Sequence, residues 1–175
     1  MLERKKLHNL VQELKGNIRV FLRCRPPGAR EIETFGNDAQ CVSFPSEGVI
    51  TVQNEKGREK TWDFDQVFGL DCTQEKIYAE VSPLVVSVLD GYNVCIFAYG
   101  QTGSGKTFTM SGSPQNRGVN TRALDDLFRK AAERVDEWND RITVSMLEVY
   151  NEEIHDLLVD GNFSFRIFYF LIYLS

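Results

Sequence analysis

An α/β layer fold is the class this sequence predicts, and three observations predict it. Strand-like runs alternate with helical patterns along the chain. Val94-Cys95-Ile96-Phe97-Ala98 is a continuous apolar run of strand length, as expected of a strand buried on both faces. A long strand pattern, Ile142 to Tyr150, follows a helical stretch.

Composition sets the outer bounds. The chain has 175 residues, 42% hydrophobic and 26% charged, the balance of a soluble globular domain. No uncharged apolar run reaches the ~18 residues of a membrane span, and no secretory leader opens the chain, so neither a membrane nor export is expected. The formal charge of −5 does not suggest nucleic acid. Charge is unevenly placed, however: residues 1–30 carry eight basic side chains against Glu3 and Glu13, a local +6 that leaves −11 on the remainder. A solvated basic face and a surface for an acidic partner both fit. Cys24, Cys41, Cys72 and Cys95 lack any C-x-x-C spacing, and His8 and His155 stand alone, so the chain reads as cytoplasmic and without a zinc site.

The elements follow in order. Leu7, Leu10, Val11 and Leu14 form an amphipathic helical stripe that Gly16 and Asn17 stop. Packing onto the domain and membership of a longer pairing helix are both open to it. Ile18 to Arg25 alternates apolar with basic and reads as a strand ended by Pro26-Pro27-Gly28. Short strands are expected at 41–44 and 49–53 around Ser46-Glu47-Gly48, and another at Thr61 to Asp65. Thr73 is positioned to cap a helix running to Leu89, kinked at Pro83. A further helix, Asn120 to Glu137, presents Leu124, Leu127, Phe128, Ala131 and Val135 on one side. After the strand 142–150, Ile154 to Leu158 reads as a short helical segment. Residues 162–175 then hold ten apolar residues and one charge, a stretch of high β-propensity with little to blunt aggregation.

The chemistry sits directly after the apolar run. Gly100-Gln101-Thr102-Gly103-Ser104-Gly105-Lys106-Thr107 matches G-x-x-x-x-G-K-[ST], between a strand pattern and a segment that can be helical. Glycines let successive backbone N–H groups wrap a polyphosphate. Lys106 supplies a positive charge to the β- and γ-phosphates, and the Thr107 hydroxyl is the candidate ligand for Mg2+. No N-K-x-D guanine-reading sequence is present. Arg23-Cys24-Arg25-Pro26 offers a basic, ring-capped strand end for a purine.

Ile96-Phe97-Ala98-Tyr99-Gly100 through Lys106-Thr107-Phe108-Thr109-Met110 strongly resembles the P-loop of kinesin motors. Arg23-x-Arg25-Pro26 is similar to that family's adenine-side motif, and Glu148-x-Tyr150-Asn151-Glu152-x-Ile154-x-Asp156-Leu157-Leu158 to its strand-and-turn segment. Leu14-Lys15-Gly16-Asn17-Ile18-Arg19-Val20 looks like the neck-to-motor junction of the C-terminal-motor, minus-end-directed members.

The resemblance implies a P-loop NTPase with a three-layer motor core around a mixed central sheet, binding ATP or ADP with Mg2+ and moving along microtubules in the cytoskeleton. Arg23, Arg25 and Pro26 would then hold adenine and ribose, Gln101 to Thr107 the phosphates, and Phe108 would stand where an aromatic or His often stacks. Residues 1–15 would be the end of a neck helix able to pair two chains, 16–161 the front part of the motor, and 162–175 a tail foreign to the family.

Two departures qualify that expectation. The N-x-x-S-S-R-S-H and D-x-A-G-S-E switches, which position water and the second-shell acid, do not occur in these residues, so the stretch reads as a motor cut before its switches. The resemblance also implies that strand 94–98 is flanked by two strands from later sequence; without them both its edges are open, unless the tail pairs with one. Two alternatives stand beside the motor reading. One is a non-catalytic fragment that pairs through residues 1–15; the other is a generic P-loop NTPase using Glu148, at the end of Thr143-Val144-Ser145-Met146-Leu147-Glu148, as its acid.

Overall fold

The computed structural model describes residues 2–36, 41–159 and 169–174. It divides into two compact units, one of Met1–Ala79 with Gly100–Gly105, the other of Glu80–Tyr99 with Lys106–Ser175.

The first unit opens with α1, Leu2–Leu14. Its apolar stripe lies open: Leu7, Leu10, Val11 and Leu14 are 58%, 49%, 49% and 79% exposed, so packing onto the domain is not its use. The expected strand 18–25 contracts to β1, Phe21–Arg23, because a ladder partner reaches only those residues. That partner is β5, Gln66–Phe68, which the sequence reading did not anticipate. The two run parallel, Phe21↔Gln66 to Arg23↔Phe68, and Phe21 meets Phe68 edge-on at 6.0 Å. Val20 N–H donates to Asp65 Oδ2 at 2.7 Å, fixing the ladder's entry. Also unanticipated is α2, Ala29–Phe35, after Pro26-Pro27-Gly28.

β2 (Val42–Ser43), β3 (Val49–Gln53) and β4 (Glu59–Asp63) make an antiparallel meander, two residues earlier at its last strand than the apolar pattern suggested. Asn54 sets the β3–β4 turn, its Oδ1 accepting from the N–H groups of Lys56 and Arg58. Ile50, at 3% exposure, is the buried residue of this sheet.

The helix α3 spans Gln74–Leu89, and its start is as expected: Thr73 Oγ1 accepts from Lys76 N–H at 3.4 Å. Pro83 stands inside it and the helix continues beyond. In the second unit Val85 and Leu89 of α3 bury against Leu127, which is 2% exposed, with Val88, Ala123, Ala131 and Ile142 packed around them. Leu127 lies on α5, Val119–Ala132, which is shorter than the 120–137 expected. Leu127 is buried and Leu124 and Ala131 are partly buried, but Phe128 and Val135 are 55% and 69% exposed: the buried arc is narrower than the apolar pattern.

Arg134 closes the end of that region. Its Nη1 donates to Leu89 O at 2.9 Å, Nε donates to Asp140 Oδ2 at 2.6 Å, and Nη2 engages the other carboxylate oxygen. One guanidinium thereby satisfies a C-terminal carbonyl of α3 and holds the approach to the next strand.

That strand is β6, Ile142–Tyr150, as expected. It pairs antiparallel with β7, Glu153–Asp156, where a helical segment was expected. Asn151 and Glu152 take φ of 50° and 67°, the two left-handed residues of a tight hairpin, and four ladder positions from Leu147↔Asp156 to Tyr150↔Glu153 outcompete a helix too short to nucleate. On its other side β6 pairs with β8, Tyr169–Leu174. The tail thus closes on β6 rather than on 94–98; residues 162–168 and Ser175 lie outside the described residues.

Val94–Ala98 forms no ladder with any described strand. Ile96 and Phe97 are 40% and 75% exposed, so the buried-strand expectation fails locally. An apolar run becomes an interior strand only when neighbours take its N–H and C=O groups on both sides.

Candidate functional site

The Gly-rich segment passes from the apolar run straight into α4, Lys106–Met110. Gly103 and Gly105 have φ of +81° and +95°, a backbone that side-chain-bearing residues rarely adopt, and no atom stands within 4 Å of where a Cβ would be. The glycines of the motif are therefore used for their conformation, and space is open beside them. Ser104 N–H donates to Gln101 O at 3.2 Å and tightens the turn. Gln101, Thr102 and Gly103 are exposed; Ser104, Gly105 and Lys106 are partly covered. Thr107 is exposed at the first turn of α4, its carbonyl taken by Ser111 N–H at 2.8 Å, and Phe108 is 44% exposed.

This donor set suits a magnesium polyphosphate: peptide N–H groups and one ammonium for anionic oxygens, one hydroxyl oxygen for a hard cation. Among the described residues no group of three or more His, Cys, Asp or Glu could hold a metal by itself.

Gly100–Gly105 belong to the unit that contains Arg23, Arg25 and Pro26, whereas Lys106, Thr107 and Phe108 belong to the other. Arg23 extends from β1 to Gln74, the first residue of α3, donating from Nη1 to Oε1 at 2.8 Å. Gln74 is 1% exposed, and partial burial lowers the Arg23 pKa from its ordinary value. Arg25 bends back instead. Its Nη2 donates to Glu31 Oε1 at 2.5 Å and its Nη1 to Pro26 O at 3.0 Å. Glu31 Oε2 accepts from Gly28 N–H at 2.5 Å, sealing the first turn of α2. The Arg25 hydrogen bond, followed by that of Gly28, holds the Glu31 carboxyl down at about 2.

Glu31 and Gln74 were not singled out from sequence. For Glu31 the signal exists: Gly28-Ala29-Arg30-Glu31 has capping spacing after a Pro-Pro turn. For Gln74 there was none, since only the packing of α3 brings it to β1.

Glu148 is 7% exposed, and among the described residues its Oε1 has no hydrogen-bond partner. It lies within the β6 ladder, opposite His155, with Val149 and Tyr150 still to follow. The strand therefore does not end at this acid, and the sequence likeness to a Walker-B strand end does not carry over.

Parallel and antiparallel strand pairing, with a Gly-rich loop that opens a helix, gives the chain an α/β architecture. Comparison with known proteins narrows the class. A family model described as microtubule binding matches residues 1–158. The Kinesin-like protein KIN-14E of Oryza sativa subsp. japonica is 53% identical over 161 residues, 92% of this chain and 15% of its own. The Kinesin-like protein KIN-14S of Arabidopsis thaliana is 52% identical over 160 residues, 91% of this chain and 21% of its own. Among solved structures, the C-terminal motor and motor homology domain of Kar3Vik1, fused to a synthetic heterodimeric coiled coil, superposes with a TM-score of 0.79 at 37% identity, covering 90% of this chain and 42% of that one. The motor domain of the Kar3-like kinesin from Ashbya gossypii gives 0.71 at 34% identity, covering 91% and 55%.

The chain belongs to the kinesin motor family and is of the C-terminal-motor, KIN-14 type, corresponding to the N-terminal portion of the motor domain. It spans about half the length of the solved motor chains it matches and 15% and 21% of these plant relatives.

Proposed function

We propose that this chain is the nucleotide-holding front part of a microtubule motor whose complete form hydrolyses ATP and moves toward the microtubule minus end. Residues 16–161 form that part, 1–15 the end of its neck, and 162–175 a tail outside the family pattern. Gly100 to Thr107 cradle the phosphates, Lys106 neutralises the β- and γ-oxygens, and Thr107 Oγ1 ligates Mg2+, which when bound screens the polyphosphate charge. Phe108 flanks the loop. Arg23, Arg25 and Pro26 take the adenine side, with Gln74 and Glu31 positioning the two guanidinium groups.

The reading rests on one observation above the rest: Gly103 and Gly105 hold left-handed backbone beside open space, immediately before Lys106. With neither switch sequence among these residues, the chain binds nucleotide without turning it over. Titration of the purified chain with a fluorescent ADP analogue in Mg2+ tests this. Saturable binding that is lost in Lys106→Ala is expected; no binding at high micromolar nucleotide rejects it.

A second reading concerns the neck. The exposure of Leu7, Leu10, Val11 and Leu14 on one stripe of α1 favours pairing with another neck helix. The family's setting, microtubules in the cytoplasm, supplies the context for both.

A further inference from the structure

We propose that the outer edge of β8 is a self-association site, joining two copies of this chain by antiparallel strand addition centred on Leu171.

The sheet order is β7-β6-β8, so among the described residues β8 is an edge strand with β6 as its one neighbour. Its pairing is unbroken over six positions, from Ile142↔Leu174 to Leu147↔Tyr169, without a bulge to twist the edge away. In such a ladder alternate N–H and C=O groups of the edge strand point outward, ready for another strand. Folded proteins usually blunt that hazard with charge, Pro or brevity.

The other edges described here are blunted. β7, across the same sheet, carries Glu153, His155 and Asp156; β4 carries Glu59, Lys60 and Asp63; β2 has only two residues, and β1 and β5 only three each. The strand β8 reads Tyr-Phe-Leu-Ile-Tyr-Leu, with no charge, Pro or Gly over six residues. Among the described residues it is the edge left undefended.

The sequence selects the occupant. Residues 169–173, Tyr-Phe-Leu-Ile-Tyr, repeat their character when read backwards. Antiparallel pairing centred on Leu171 sets Tyr169 opposite Tyr173 of a second copy, Phe170 opposite Ile172, and Leu171 opposite itself. Aromatic–aromatic and aromatic–β-branched cross-strand pairs are the favourable ones. Such an edge satisfies a two-fold axis, where the same patch serves both partners, and it yields one closed dimer with a continuous sheet.

Sedimentation velocity on the 175-residue chain, with and without substitutions, tests the site. The wild type should form a concentration-dependent dimer. Leu171→Lys, which brings two charges face to face, should weaken it about tenfold or more. Leu10→Lys on α1 should leave this association in place. Cross-linking supplies a readout that does not depend on how well Leu171→Lys folds. With Cys24, Cys41, Cys72 and Cys95 changed to Ser, Leu171→Cys should oxidise to a covalent dimer, because directly opposed Cα atoms lie ~4.5–5.5 Å apart. Tyr169→Cys should not link to itself, but should link to an equimolar Tyr173→Cys chain. A monomer at all concentrations, an association removed by Leu10→Lys and untouched by Leu171→Lys, or equal self-linking at 169 and 171 would each overturn the proposal.

Discussion

Arg25 and Glu31 meet across the Pro-Pro-Gly turn, Nη2 donating to Oε1 at 2.5 Å, and the same carboxylate takes Gly28 N–H through its other oxygen. A residue of the proposed adenine side is therefore positioned by the cap of a neighbouring helix. Two kinds of consequence follow, one for binding and one for pH.

The pH consequence has a definite sign. Arg25 first, then Gly28 N–H, lower the Glu31 pKa from 4.5 to about 2. A carboxylate depressed in the folded state stabilises it above the unfolded value and loses that contribution as pH falls. The wild type should thus lose a Glu31-dependent increment between pH 4.5 and about 2, and Glu31→Gln should lack it. Denaturant midpoints of both proteins across that range check the point; parallel curves would refute it.

At the other arginine, Gln74→Leu removes the acceptor of Arg23 Nη1 at a position 1% exposed. A cost of about 1–3 kcal/mol is expected, read from the urea midpoint at unchanged m-value. Weaker nucleotide binding should accompany it if Arg23 serves the adenine side. Undiminished stability would show that Gln74 does not hold the guanidinium.

The second unit offers a contrast between neighbours on one helix. Leu127→Ala empties a site 2% exposed between Val85 and Leu89 and should cost about 2–5 kcal/mol. Phe128→Ala, at a position 55% exposed, should change stability by less than about 0.5 kcal/mol. Thermal melts of the pair decide whether the buried arc is as narrow as described.

The β6–β7 hairpin turns on Asn151 and Glu152, with φ of 50° and 67°. Glu152→Gly converts this turn to Asn-Gly, the pair best suited to such a geometry, and should stabilise the chain by about 0.5 kcal/mol. A loss of stability would argue that Glu152 has an interaction outweighing its backbone strain.

Much of this was legible from local pattern. The Gly-rich loop, the limits of β6, the Thr73 cap and the pairing of β2 with β3 about Ser46-Glu47-Gly48 are set by residues a few positions apart, through backbone φ, side-chain capping and alternation. Where the reading went astray, the decision lay between distant segments. Ile154 to Leu158 has an apolar spacing that a short helix and a hairpin strand share, and the β6 ladder chose the strand. Leu124, Leu127 and Phe128 look alike on a helical projection, yet only packing against α3 distinguishes the buried Leu127 from the open Phe128.

By itself the sequence determined the loop for which nucleotide binding is proposed, with glycines that free its backbone and Lys106 and Thr107 at its end, in a chain of kinesin type. The tertiary structure alone decided which surfaces stand open. It left the α1 stripe uncovered, kept Val94–Ala98 out of any described ladder, placed Glu148 inside β6, and made β8 an edge. Conformation within a loop follows from its own residues; burial and strand pairing require a second segment, and no residue encodes its partner's arrival.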